Sequence, residues 1–369
     1  MLSAADLKAI NEALVTFKAL ELAGHEVSKE TFPLPNDLSE RLSSAAYEVH
    51  RGRGLCQIQG LDPTLYSEAD NLLVFLAIAN YIGDKRGIQD KKGNVITHIT
   101  DAKAWTVPYE KRHVVHTNQH LTWHCDMGAD VLALQVRQVA ARGGATMVAS
   151  SWKIYNIVAS ERPDVIRVLA EPNWPVHVSN RKSRHVLASL LEFHDGKLLM
   201  NFDPSRLGTH PAMKPRRSRP VAIPSLTEAQ QEALRVVAAV AERNSLQLGT
   251  KAGDILFINN WALLHARSAY TDSGEEAEGQ GTVNQRRHLL RLWIRNSQLG
   301  WKIPENLRAP WEAAFSYADE GYVSGDHQNG AVTQLRYPVM PEPDYKPARY
   351  TTGSAAFVIE DSESEYDDE

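Results

Sequence analysis

Apolar positions recur through the first hundred residues at the spacing of helices that turn one face inward. Leu7, Ile10, Leu14 and Phe17 form one stripe, predicting a helix from Ala4 to Leu22. After a break at Phe32-Pro33-Leu34-Pro35, Asn36 is the expected cap of a second helix whose stripe is Leu38, Leu42, Ala45, Ala46 and Val49, ending near Gly52. Ser67 caps a third, which runs through Leu72, Leu73, Phe75, Leu76 and Ile78 to Gly83. Between the second and third, Gly54-Leu55-Cys56-Gln57-Ile58-Gln59-Gly60 alternates as a short strand.

Beyond residue 93 the period shortens to two. Strands are predicted over Asn94 to Ile99, Asp130 to Arg137, Thr146 to Ala149, Gly253 to Ile258 and Arg287 to Arg295. The turn Arg142-Gly143-Gly144-Ala145 between two of them predicts a hairpin. Another is expected where Arg184 to Phe193 and Lys197 to Phe202 flank Asp195-Gly196, a dipeptide suited to a type I′ turn. Helical stretches interrupt this pattern from Ser151 to Leu169, broken near Pro163, and through Ala233, Leu234, Val237, Ala238 and Val240, opened by a capping box of Thr227 and Gln230. On the last strand, period two places Arg287, Leu289, Arg291 and Trp293 on one face and His288, Leu290, Leu292 and Ile294 on the other. Trp301 to Phe357, punctuated by prolines, reads as irregular cover.

Composition narrows the class. With 369 residues, 43% hydrophobic and 23% charged, the chain can bury a large core and is neither fibrous nor disordered. No apolar run approaches the roughly 18 residues of a membrane span. Met1-Leu2-Ser3-Ala4-Ala5-Asp6 lacks the basic start of a secretory leader, and Cys56 and Cys125 are too few for a disulfide framework, so a cytoplasmic protein is expected. The net charge of -5 gives no general attraction to nucleic acid, and the basic cluster Lys214, Arg216, Arg217 and Arg219 reads as a solvated loop. With no internal repeat or linker, a single domain over 1–358 is expected. It carries an N-terminal helical cover and a helical insert at about 151–245, and is followed by a disordered acidic tail at 359–369. The Glu- and Gly-rich stretch 271–285 reads as a mobile loop, either a lid or a surface excursion.

Trp123-His124-Cys125-Asp126 changes the picture most. Side chains at i and i+2 of extended backbone project to the same side, so His124 and Asp126 can reach one ion, while Cys125 points away and reads as a small packed residue. His113, His116, His120 and His124 cluster in sequence, but Pro108 and Val114-Val115 oppose the helix that would align them. The first three are expected in substrate-pocket or surface roles. Far along the chain, His265 lies on a second strand edge.

In order, His124-x-Asp126, Gly143-Gly144-Ala145-Thr146, Asn259-Asn260-Trp261-Ala262-Leu263-Leu264-His265 and Arg286-Arg287-His288-Leu289-Leu290-Arg291-Leu292-Trp293 resemble the TauD/TfdA family of iron(II)- and 2-oxoglutarate-dependent dioxygenases. Over His124 to Ser151 the chain resembles fungal members of unassigned substrate. The likeness implies an α+β fold with a mainly β core, a double-stranded β-helix (jelly roll, cupin-like) flanked by helices. It implies Fe(II) held by His124, Asp126 and His265, with 2-oxoglutarate and O2 consumed. Two histidines and one carboxylate on one face of an octahedral ion leave three positions open, which suits non-haem iron. The far carboxylate of the co-substrate then needs a planar cationic fork, and Arg287 with Thr146 takes that role by correspondence. Arg291, close to the reacting pocket, suits an anionic group on the substrate. His120, Gln119 and Trp123 before the motif, and Asn201 and Arg206 beyond the Asp195-Gly196 turn, are further candidate pocket residues.

The reaction implied is oxidation of an unactivated C–H bond by hydroxylation, desaturation or oxidative cyclisation, with succinate and CO2 as co-products. A small carboxylate-bearing substrate is expected, an amino acid or derivative from secondary metabolism. Two other classes share the ligands. A zinc-dependent hydrolase needs a general base, and no His-Glu-x-x-His motif is present. A non-catalytic cupin-like metal-binding protein has no need of Arg287 beside Thr146.

Overall fold

A computed structural model describes residues 1–90, 93–101, 114–177, 185–208, 223–273, 286–315 and 335–341. His113, the Lys214 to Arg219 cluster, most of the 271–285 loop and the acidic tail lie outside the described residues.

Two antiparallel sheets carry the site. The larger orders the strands Leu55–Ile58, Ile255–Asn259, Val131–Gln138, His288–Arg295 and Lys85–Gly87, with Ile96–Thr100 also paired to His288–Arg295. The smaller orders Leu246–Leu248, Thr146–Ser150, Leu263–Arg267 and Leu121–His124. Facing each other, they form the expected jelly roll. Leu132, Leu134, Leu256, Ile258, Leu289 and Trp293 from one meet Val148 and Leu263 from the other.

Helices cover both outer faces, which is why the central strands read as almost continuously apolar. Behind the larger sheet, Val131, Ala133, Phe257, Leu290 and Ile294 pack on Ile10, Phe17, Leu42 and Phe75 of helices Ala4–Ala19, Asn36–His50 and Glu68–Ile82. Behind the smaller sheet, Trp123, Ala149 and Leu264 pack on Ile154, Val165 and Val237 of helices Ser151–Glu161, Pro163–Ala170 and Glu228–Arg243. Ser67 and Thr227 cap their helices as expected, Thr227 with a reciprocal box to Gln230. Among the described residues no helix is long and apolar enough to cross a membrane.

Four local expectations change. Pro35, not Asn36, is the cap of the second helix, so Asn36 opens its first turn. Val131–Gln138 and Thr146–Ser150 do not pair as a hairpin, since they lie in different sheets. The Gly143-Gly144 turn, with both residues at φ +72°, carries the chain across, and Gly143 pairs with Tyr270 instead. The predicted Arg184 to Phe193 strand divides into His185–Ala188, paired with Trp174–His177, and Leu191–His194, paired with Lys197–Met200. That second hairpin has φ of 49° at Asp195 and 72° at Gly196, the left-handed pair a type I′ turn requires. Finally, the C-terminal cover is not wholly irregular: Arg308–Phe315 is helical.

Candidate metal centre and the pocket beside it

Antiparallel register brings the two histidines together. His265 of Leu263–Arg267 stands opposite His124 of Leu121–His124, with ring centroids 4.2 Å apart. Asp126 follows two residues later, past the strand end, and its Oδ1 lies 3.6 Å from His124 Nε2 and 3.5 Å from His265 Nε2. All three residues are buried, and among the described residues their ligand atoms form a His-Asp-His group within 4.8 Å.

Neighbouring residues aim these groups inward. His124 Nδ1 is 2.7 Å from the Thr122 carbonyl, which can only accept, so Nδ1 carries the proton and Nε2 offers its lone pair. Asp126 Oδ2 accepts from Trp293 Nε1 at 2.7 Å and Arg291 Nη1 at 3.1 Å, whereas Oδ1 is buried without a hydrogen bond. The Asp126 backbone is held from both sides by Asn260, whose Oδ1 accepts its N–H at 3.2 Å and whose Nδ2 donates to its carbonyl at 3.4 Å. Burial pushes the Asp126 carboxyl up, but Arg291 and the two histidines outweigh it and hold the group well below the usual carboxylate range. His124 is pushed down to about 4, first by burial and then by His265. Two imidazole nitrogens and one ionised oxygen, the oxygen bonded to no other donor, fit a divalent iron.

The pocket next to this group is lined by Leu132, Leu134, Thr146, Arg267, Arg287, Leu289 and Arg291, among others. Arg287, Leu289 and Arg291 lie on one face of their strand as period two predicts. Arg287 is 4% exposed; its backbone N–H donates to Asp272 Oδ1 at 2.9 Å, but among the described residues no carboxylate bonds its guanidinium. Its Nε donates to the Gly144 carbonyl at 3.2 Å, and Nη1 is buried with no partner. Burial and the nearby Arg267 charge push it down to about 9. Thr146 stands opposite Arg267 at the edge of the same pocket. Arg291 is less free than expected: besides Asp126 it donates through Nε to Gln89 at 2.7 Å. Arg267 lies two residues past His265 and donates to the carbonyls of Val115, Thr117 and Gln119.

The remaining candidates sit elsewhere. His120 and Gln119 are exposed ahead of the His124 strand, while His116 is buried. Trp123 packs outward into the helical layer and donates to Glu242 at 2.7 Å. Asn201 and Arg206 are buried but do not line this pocket; Arg206 Nη1 donates to the Met127 carbonyl at 2.7 Å and so supports the turn after Asp126. Cys125 does point away from its neighbours, and it is tied down there. Its Sγ accepts from the Phe202 amide at 2.9 Å and donates to the Met200 carbonyl at 3.4 Å, while burial pushes the thiol up.

Four residues of this centre carry no role in the sequence reading. Trp293 falls on the Arg291 face without one, and Arg267 could have been found by extending period two from His265. Gln89 and Asn260 act through contacts that no local pattern marks.

Residues 16–293 match the family described as taurine catabolism dioxygenase TauD, TfdA family. The chain is 37% identical over 86% of its length to the taurine hydroxylase-like protein SAT17 of Stachybotrys chartarum, of which 80% is covered. It is 23% identical over 76% of its length to the FR-33289 synthase of Streptomyces rubellomurinus, again covering 80% of that protein. Among solved structures, an asparagine oxygenase with Fe(II), 3-hydroxyasparagine and succinate superposes with a TM-score of 0.60 at 14% identity, covering 81% of this chain and 97% of that one. The non-haem iron oxygenase OrfP with iron and alpha-ketoglutaric acid gives 0.58 at 16% identity, covering 80% and 93%.

Proposed function

The chain belongs to the TauD/TfdA family and is an iron(II)- and 2-oxoglutarate-dependent dioxygenase, and from that premise we propose that it oxidises an unactivated C–H bond of a small anionic substrate, an amino acid or derivative. One observation carries the assignment of roles: the buried His124, Asp126 and His265 group opens on the same pocket as Arg287, a buried cation whose Nη1 has no hydrogen-bond partner.

Iron with 2-oxoglutarate and O2 supplies the oxidant, the co-substrate leaving as succinate and CO2. His124, Asp126 and His265 hold the ion. Arg287 takes the far carboxylate through its unpartnered Nη1, with the Thr146 hydroxyl as a second donor. Leu132, Leu134 and Leu289 exclude water around the reacting carbon, which limits side reactions and strengthens each charged contact. Arg291 divides its guanidinium. Nη1 holds Asp126 and Nε holds Gln89, and Nη2 is the donor left for an anionic group on the substrate. The neighbouring structures of asparagine oxygenase and OrfP contain hydroxylated amino acids, which supports that substrate class.

Anaerobic titration tests the assignment. Fe(II) plus 2-oxoglutarate is expected to give a visible charge-transfer band, lost in His124→Ala. Absence of the band from the wild-type protein would sink the reading. Succinate release stimulated by a member of an amino-acid and organic-acid panel then identifies the substrate; a panel without effect on a protein that binds 2-oxoglutarate refutes the substrate class alone.

A further inference from the structure

Arg287 is held by two residues that contribute no charge. Gly144, at φ +72°, lies so close that a Cβ there would meet Arg287 Cδ at 2.8 Å and Nε at 2.9 Å. Its carbonyl accepts the Nε–H, and its own N–H donates to the Ala269 carbonyl at 3.2 Å. The preceding turn has no room to retreat, because a Cβ on Gly143 would meet that same carbonyl oxygen at 2.2 Å. Tyr270 supplies a ring whose centre lies 5.4 Å from the Arg287 guanidinium carbon and 5.0 Å from that of Arg267. The Tyr270 hydroxyl is buried and bonds to nothing, so the ring is the part of this residue that touches the cations.

From these contacts we infer that Gly144 and Tyr270 form a slot that fixes the reach of Arg287, making them the positioning residues by which the enzyme selects a 2-oxo diacid over a 2-oxo monoacid. The inference rests on the role given to Arg287 above. A long guanidinium side chain with no carboxylate bonded to it has many rotamers, and a fork that must meet a carboxylate with both arms gains affinity only when those rotamers are already restricted. Gly144 restricts Cδ and Nε by contact and by one hydrogen bond. The ring accepts positive charge on its face without offering a carboxylate that would compete with the incoming ligand.

The test uses the full chain loaded with Fe(II) under anaerobic conditions, with binding followed by charge-transfer absorption. The ligands are 2-oxoglutarate and 2-oxopentanoate, which has the same chain length and lacks the far carboxylate. Gly144→Ala is expected to weaken 2-oxoglutarate roughly 10-fold through loss of the aligned charge-assisted pair, leaving 2-oxopentanoate and Fe(II) affinity as in the wild type. Tyr270→Leu is expected to weaken 2-oxoglutarate by about 3- to 10-fold, and Tyr270→Phe, which keeps the ring, to restore it. Equal weakening of both acids, or of neither, by Gly144→Ala overturns the slot, as does a Tyr270→Phe variant as impaired as Tyr270→Leu. If Gly144→Ala does not fold, the Tyr270 pair decides alone. Arg287→Met separates the two readings. If it leaves the preference for the diacid intact, Arg287 itself is misassigned; if it abolishes the preference while the slot variants do not, only the slot fails.

Discussion

The two ends of the pocket are built on opposite plans. At the metal end the polar groups not aimed at the ion are partnered, His265 Nδ1 excepted: His124 on Thr122, Asp126 Oδ2 on Arg291 and Trp293, and the Asp126 backbone on Asn260. At the other end Arg287 has one hydrogen bond to a carbonyl and a ring beside it, and its Nη1 is buried unpaired. A protein leaves a buried cation uncompensated only where something else brings the charge. The metal end is complete in geometry before its ion arrives. The Arg287 end is complete in position but not in charge, and on the reading proposed above a dianionic co-substrate supplies the difference.

The sharpest way to break this contrast is to remove one charge from each end and measure stability without metal or co-substrate. Asp126→Ala leaves Arg291 Nη1 and Trp293 Nε1 without their acceptor in a buried site, and is expected to cost about 3–5 kcal/mol. Arg287→Met removes a charge that burial and Arg267 oppose more than Asp272 favours, and is expected to leave stability unchanged or raise it by about 1–2 kcal/mol. Urea unfolding of the two variants reads the difference. Equal destabilisation by both would show that Arg287 is already compensated, and the contrast would be gone.

Acid provides a second separation, somewhat smaller. His288 follows Arg287 but faces away from the pocket, 2.9 Å from His98, and is pushed down to about 3 by burial, then by His98 and Arg137. Its folded pKa lies below its ordinary value of 6.5, so an unfolded chain takes up a proton that the folded one refuses. The stability His288 contributes is fully present above pH 6.5 and drains away as pH falls toward 3, about 3 kcal/mol of it by pH 4.5. Asp126, held well below the usual carboxylate range, gives up its contribution only at lower pH. Unfolding free energies between pH 7 and 4.5 should therefore fall less steeply in His288→Gln than in the wild type. Superimposed profiles would show that the back of the Arg287 strand does not titrate in this way.

Much of this contrast was legible in the sequence, because the two ends are written in different local codes. His124 and Asp126 at i and i+2, and Arg287 and Arg291 on one face of a strand, follow from the pleat alone. The stripes of Leu38, Leu42 and Val49 or Ala233, Val237 and Val240 likewise survive folding because helix periodicity and burial are one signal. What failed was partnership at a distance. Gly143-Gly144 permits a tight hairpin as readily as a crossing between sheets, and the choice lies with Ala269 and Tyr270, more than a hundred residues away. The unpartnered Nη1 of Arg287 was equally hidden, since a sequence lists charges without saying which atoms remain unbonded. Gln89 and Asn260 were missed for the same reason, each bonding atoms that many other folds would have given it.

The smallest predicted effect sharpens the metal end itself. Trp293 is fully buried and donates through Nε1 to Asp126 Oδ2 at the shorter of the two distances, so Trp293→Phe keeps an aromatic ring in the core while removing one donor. Arg291 Nη1 remains on the same oxygen at 3.1 Å, which preserves ionisation but lets the carboxylate rotate. Partners that orient metal ligands typically account for about 10–100-fold in metal affinity, and with Arg291 in place the lower figure is expected for Fe(II), measured by competition with a chelator. The diacid over monoacid preference should be unchanged, because nothing at Arg287 has moved. If instead Fe(II) affinity holds and the diacid preference falls, Trp293 serves the wrong end, and the two plans are not separable along this strand.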